Sequence, residues 1–190
     1  MRRLPILATM VIAAACGRDR SARPATHYGL GRAATPAEIA AEDIAVGPDG
    51  EGLPAGHGSA EEGAAIYKRL CASCHGPNGA GIEPVYPPLV GRDPSGENFV
   101  FGKDYRIPRT IGNYWPYATT VFDYVRRAMP LLAPGSLTND EVYAVTAYLL
   151  AANRVIPMTT TLDAQSLKQV KMPYANRFVV DNRKGGPEVK

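Results

Sequence analysis

The sequence predicts an all-α domain with an extended N-terminal arm and a C-terminal tail, and three observations point there. Apolar residues recur at helical spacing in three stretches, two of them opened by capping boxes. No run alternates apolar and polar residues in the way a half-buried strand does. The third observation is Cys71-Ala72-Ser73-Cys74-His75, standing where the first of those stretches ends. With three Cys and three His in 190 residues, this spacing arises by chance only on the order of 10⁻³ times.

The chain opens on a leader. Met1-Arg2-Arg3 is a basic start, and Leu4 to Ala15 is apolar apart from Thr9, shorter than the roughly 20 residues that span a bilayer. Ala13-Ala14-Ala15 is a small-residue cleavage site, so residues 1–15 read as a secretory signal peptide and the protein as periplasmic. Cys16 follows directly and has two readings. It is either an acylated first mature residue that tethers a membrane-anchored lipoprotein, or a bystander beside an ordinary cleavage site.

Residues 16–58 read as the extended arm. Thr35, Pro36 and Glu38 can cap, start and charge one short helix over 35–42, and the stretch 47–54 is turn chemistry rich in Gly and Pro. Ser59-Ala60-Glu61-Glu62 is a capping box opening a helix to about Leu70, with Gly63, Ile66, Tyr67 and Leu70 on one face. Residues 76–118 are loop-rich, with turn signals at 76–79, 87–88 and 93–96. Thr119 or Thr120 should cap a second helix to about Ala128, aligned on Val121, Val125 and Ala128 and stopped by Met129-Pro130. A second capping box, Thr138 to Glu141, opens a helix over 139–153 with a stripe of Val142, Val145, Leu149 and Ala152. Residues 154–190 lack periodicity and carry seven Lys/Arg against three acids. The compact domain is therefore expected over 59–153, flanked by arm and tail.

Composition narrows the function. The chain is 45% hydrophobic and 21% charged, enough for one globular core. Its net charge of +3 falls to +1 once Arg2 and Arg3 leave with the leader. No Lys/Arg cluster is interleaved with aromatics, so no nucleic-acid partner is expected. Three or four helices joined by long loops make a thin core for this length, and something other than side chains must complete it.

Cys-x-x-Cys-His supplies that something. Two thiols three positions apart can add to the two vinyl groups of haem while the next imidazole ligates its iron, giving one covalent haem c held by Cys71, Cys74 and His75. Three other uses compete. A structural zinc site needs a fourth ligand, and His27 and His57 lie in the arm. A redox dithiol wants a βαβ setting, and an exported protein could close a disulfide between Cys71 and Cys74.

Met129, Met158 and Met172 are the methionines outside the leader. Met129 ends a helix before Pro130, 54 residues after His75, which places a thioether on a stiff loop and makes it the favoured second axial ligand. Met158 and Met172 in the tail and His57 in the arm are the alternatives. His/Met ligation raises the reduction potential and fills the sixth position, which suits electron transfer better than peroxidase chemistry.

With these residues in view, 59–153 resembles a class I c-type cytochrome. In that family a Pro-x-Leu-x-Gly stretch follows the haem motif, and here it stands as Pro87 to Gly91. The resemblance implies that the Pro87 carbonyl accepts the His75 Nδ1–H, that Leu89 packs on the ring, and that Gly63 with Tyr67 crosses Val145 with Tyr148. A further resemblance runs through 28–32, 52–54, 111–120, 122–130 and 133–138. These stretches are similar to the cytochrome subunit of periplasmic sulfane and sulfite dehydrogenases, in particular the Sox sulfane dehydrogenase. It implies that Met129 is the distal ligand and that Tyr114, Trp115 and Tyr117 serve as donors to the haem propionates. It also implies a molybdopterin sulfite/sulfane dehydrogenase subunit as electron donor, and a downstream cytochrome or oxidase as acceptor. Longer members carry two haem domains, whereas one Cys-x-x-Cys-His stands here. Arg126 and Arg127 have two readings, partner or propionate contact against simple charge at a helix C-terminus. The arm and basic tail are candidates for wrapping a partner. A general electron shuttle and a peroxidase-like haem enzyme are the alternative functions.

Overall fold

The computed structural model describes residues 28–91 and 106–179. The leader, Cys16, His27 and the 93–96 turn lie outside the described residues. Helices dominate. Helix α1 spans Pro36–Glu42, α2 Ala60–Leu70, α3 Ala72–His75, α4 Ala118–Ala128, α5 Asn139–Ala152 and α6 Ala164–Gln169. Two three-residue strands, β1 (His57–Ser59) and β2 (Thr161–Asp163), add an antiparallel pair in which Gly58 faces Leu162.

Three capping boxes stand where the sequence places them. Thr35, Ser59 and Thr138 each accept from the backbone N–H three residues on, and the Glu at that position reaches back to the cap. Helix α4 departs from expectation. It starts at Ala118 with Tyr117 as an N-cap that makes no side-chain bond. The two threonines expected to cap it are engaged elsewhere: Thr119 donates to the Pro48 carbonyl at 2.9 Å and Thr120 to the Tyr117 carbonyl at 2.9 Å. Met129 follows in extended conformation, as the proline after it requires.

Helix α5 is the centre of the core. Val142 to Ala147 and Leu149 to Ala151 are all buried, so the helix is enclosed on most sides and the expected stripe was too narrow; its last member, Ala152, is only half-buried. Helices α2 and α5 cross at their closest approach on Gly63, where a Cβ would lie 1.9 Å from the Ala144 carbonyl oxygen. The small residue facing Gly63 is thus Ala144 and not Val145, while Tyr67 and Tyr148 pack beside the crossing with ring centroids 5.0 Å apart. Phe122 of α4 closes the other side against Tyr143 at 4.5 Å.

The core reaches past residues 59–153. Leu162, Leu167, Met172 and Tyr174 of the tail are buried, and Asp163 caps α6 through bonds to Gln165 and Ser166. The arm divides in two. Residues 28–45 are exposed throughout and α1 buries nothing. From Ile44 onward, side chains of α4 and α5 hold the arm by its backbone. Asp123 accepts from the Val46 N–H at 2.8 Å, and Arg126 donates to the Ile44 carbonyl at 3.0 Å. Tyr143 donates to the Pro54 carbonyl at 2.8 Å, and Asp140 accepts from the His57 N–H at 2.8 Å. Such bonds recover the polar groups of a segment with no ladder of its own.

Candidate haem-binding site

Helix α2 delivers the chain into the motif. Its last turn closes on Cys71, whose N–H donates to the Tyr67 carbonyl at 2.8 Å, and Cys71 then caps the single turn of α3. The Cys74 and His75 N–H groups both return to the Cys71 carbonyl, at 3.1 and 2.9 Å. Two thiols and an imidazole are thereby set on one rigid turn. Both thiols are free and half-buried, and burial together with the neighbouring Cys74 pushes the Cys71 thiol pKa up. Tyr86 sits beside them; its hydroxyl pKa is raised by a hydrogen bond to Cys74, and its ring meets His75 edge-on at 6.2 Å.

His75 Nδ1 is buried without a hydrogen-bond partner, one of two such side-chain atoms among the described residues. Burial lowers the His75 pKa, and the Pro87 carbonyl raises it in part. Pro87, the acceptor that the family pattern implies, is thus the backbone group that acts on the imidazole. Burial favours the neutral imidazole, the form a metal ligand needs. A buried nitrogen facing a carbonyl, two unpaired thiols, and half-buried Leu70, Leu89 and Trp115 packed against the core suit a flat apolar group with an iron centre. The residues fit haem. Among the described residues no group of three His, Cys, Asp or Glu side chains converges as a metal-ion site would need.

The loop after His75 turns back on itself. Gly76 and Gly79 adopt positive φ of 76° and 73°, and Tyr67 donates its hydroxyl to the Gly76 carbonyl at 2.9 Å. The Gly79 carbonyl accepts from Leu89 and Val90 at 2.8 and 2.9 Å, bringing the Pro-rich stretch alongside the motif. Leu89 is half-buried against the core, and the Pro87 side chain is exposed.

The aromatic trio divides. Trp115 donates its indole N–H to the Thr120 hydroxyl at 2.8 Å. Tyr114 is half-buried beneath the Arg109 guanidinium, 4.7 Å from the ring centroid, and meets Phe178 edge-on. Tyr117 is exposed at the start of α4. Both arginines of α4 are also committed: Arg126 holds the arm, and Arg127 pairs with Asp123. The three methionines differ in position. Met172 is 6% exposed in the core, Met158 is exposed, and Met129 is half-buried at the C-terminus of α4. His57 lies on β1 opposite Asp163.

Sequence reasoning missed Tyr86, Asp123 and Asn153, each a common residue type; Asp123 stands inside the 122–130 stretch but was given no role there. Asn153 alone left a trace, as a polar residue ending the best helix.

A family model described as "Cytochrome C oxidase, cbb3-type, subunit III" matches residues 58–149. A chain of the sulfane dehydrogenase SoxCD crystal structure from Paracoccus pantotrophus superposes with a TM-score of 0.71 at 43% identity, covering 83% of this chain and 74% of that one. The chain belongs to the c-type cytochromes. This cytochrome is also 29% identical over 126 residues to a thiosulfate dehydrogenase of Stutzerimonas stutzeri strain A1501, covering 64% of this chain and 36% of that protein. It is 29% identical over 119 residues to the fructose dehydrogenase cytochrome subunit of Gluconobacter japonicus, covering 58% and 22%. It thus spans about a third and a fifth of these two curated relatives.

Proposed function

We propose that this cytochrome is a periplasmic electron carrier with one His/Met-ligated haem c. It takes electrons from the molybdopterin subunit of a sulfane or sulfite dehydrogenase and passes them to a downstream cytochrome or oxidase of the respiratory chain. The observation that carries the reading is the motif turn: two free thiols and an imidazole with an orphaned nitrogen, on the four-residue helix α3 and its N-cap Cys71. The likeness to SoxCD over most of the chain supports the choice of partner.

Bound there, haem c supplies a one-electron ferric/ferrous couple. Cys71 and Cys74 would hold the group through thioethers formed by addition of each S–H to a vinyl group, and His75 would ligate the iron through Nε2 while its Nδ1–H has the Pro87 carbonyl as acceptor. Met129 is the methionine we favour as the second ligand, because Met172 is buried in the core and Met158 lies exposed in the tail. A thioether ligand would suit electron transfer better than oxygen or peroxide chemistry, which needs an open position. Cys16, acylated, would tether the carrier to a membrane; the mass of the mature N-terminus reads this directly.

The test is the exported, matured chain. Denatured, it should keep a haem spectrum equivalent to one haem per chain, and sulfite or thiosulfate should reduce it only in the presence of the molybdenum subunit. Colourless protein with two reactive thiols removes the carrier reading. Haem that stays ferric with that partner and substrate removes the sulfur-oxidising reading alone.

A further inference from the structure

Asn153 ends α5 and is 1% exposed, so its side chain must find every hydrogen bond inside the protein. It uses all four. Oδ1 accepts from the Gly91 and Gly112 N–H groups, both at 3.0 Å. Nδ2 donates to the Leu89 carbonyl at 3.2 Å and to the Leu149 carbonyl at 2.8 Å. One amide thus joins the Pro-rich stretch, the 110–113 loop and the last turn of α5. No other side chain of that size offers two donors and two acceptor positions together. A Cβ at Gly112 would stand 2.5 Å from Oδ1, so the glycine there admits the amide.

Capping α5 requires the bond to Leu149 only. The other three bonds hold Leu89, Gly91 and Gly112, and two of these belong to the stretch that presents the Pro87 carbonyl to His75. Pro87 and Pro88 have no N–H with which to anchor themselves. They are held from both flanks: upstream Tyr86 exchanges two backbone hydrogen bonds with Ile82, both at 2.9 Å, and downstream Leu89 is gripped from one side by Gly79 and from the other by Asn153 and the Ile111 N–H.

We infer that Asn153 is a positioning residue of the haem site: it clamps the Leu89–Gly91 backbone and, through it, the Pro87 carbonyl against His75 Nδ1. The inference rests on the haem reading above. A firmer Nδ1–H bond makes imidazole a stronger donor and favours ferric iron. Loosening the clamp therefore favours the ferrous form.

The experiment uses the full matured chain as Asn153→Leu, neutral and with the same number of side-chain heavy atoms, beside Leu167→Ala, a core truncation in α6 that lowers stability without touching the site. Redox titration should show the ferrous-to-ferric ratio at fixed ambient potential rising about threefold in N153L, about 28 mV for a one-electron couple. The His75 Nδ1–H should also exchange with solvent faster in the ferrous state by NMR, and L167A should change neither reading. An N153L protein that titrates with wild type, or an L167A protein that shifts equally, overturns the inference. Should N153L fail to mature, Asn153→Ser carries the same two measurements, and the same results support or overturn the inference. Loss of haem from both Asn153 variants while L167A keeps it also counts against the inference, because a positioning residue leaves attachment intact. Loss from wild type is the failure of the haem reading instead.

Discussion

Gly63→Ala tests the packing that carries the motif. The added methyl would meet the Ala144 carbonyl oxygen at 1.9 Å, its carbon at 2.4 Å and Tyr148 Cβ at 2.8 Å. Two of these three atoms are backbone, so no rotamer change relieves the clash and the helices must part by roughly 1 Å or more. Overpacking of a tight core costs about 1–3 kcal/mol, and a contact with backbone belongs at the upper end. Replacing a mid-helix Gly by Ala returns about 1 kcal/mol of helix propensity. The net cost is about 2 kcal/mol, which at roughly 2–4 °C per kcal/mol lowers the melting temperature by about 4–8 °C. Thermal unfolding of the matured chain, followed by far-ultraviolet and haem-band circular dichroism, reads both helix content and the site. Parting α2 from α5 also separates Tyr67 from Tyr148, so the haem band should change before the helices melt. A G63A protein that melts at or above the wild-type temperature refutes the reasoning, because propensity would then have outweighed the crossing.

Met129→Ala should abolish the far-red sulfur-to-iron band of the ferric protein and speed cyanide binding at least tenfold; retention of the band assigns the ligand elsewhere. Asp123→Asn should cost about 1.5 kcal/mol, since its carboxylate holds both Arg127 and the Val46 N–H, and should expose residues 44–56 to limited proteolysis. The Arg127 hydrogen bond lowers the Asp123 pKa below its ordinary value, so its contribution is present at neutral pH and is lost as pH falls below about 4 toward the folded value; acid unfolding curves of wild type and D123N should converge there. Burial pushes the Tyr67 and Tyr143 hydroxyls up to about 12, so their stabilising effect is complete below about pH 10 and lost as pH rises through the folded value. A Tyr67→Phe, Tyr143→Phe double variant should flatten the alkaline limb of the stability profile, and an unchanged limb would place its origin in other groups.

Helix starts were legible because capping boxes are local: Thr35, Ser59 and Thr138 each announce themselves within four residues. The motif was legible for the same reason. Helix α4 was misplaced because its threonines look like caps in isolation, while the carbonyls that claim Thr119 and Thr120 belong to Pro48 and Tyr117. The tail was read as aperiodic because β2 and α6 are three and six residues long, too short for either period to show. Trp115 stands among the propionate donors that the resemblance implies, and only the fold shows Thr120 within reach of its indole N–H. Asn153 was invisible as anything but a helix end, since three of its four partners lie 41 to 64 positions away.

The way the arm is fastened has a bearing on how such a chain can diverge. Nearly every tether between 44 and 57 joins a side chain of α4 or α5 to a peptide group of the arm. Peptide groups are common to almost all residues, so the instructions for the route are stored in the helices and not along the strap itself. Apart from Val46 and Leu53, which pack on the core, the strap's exposed side chains are therefore free to drift, while an exchange at Asp123 or Tyr143 removes one of its tethers.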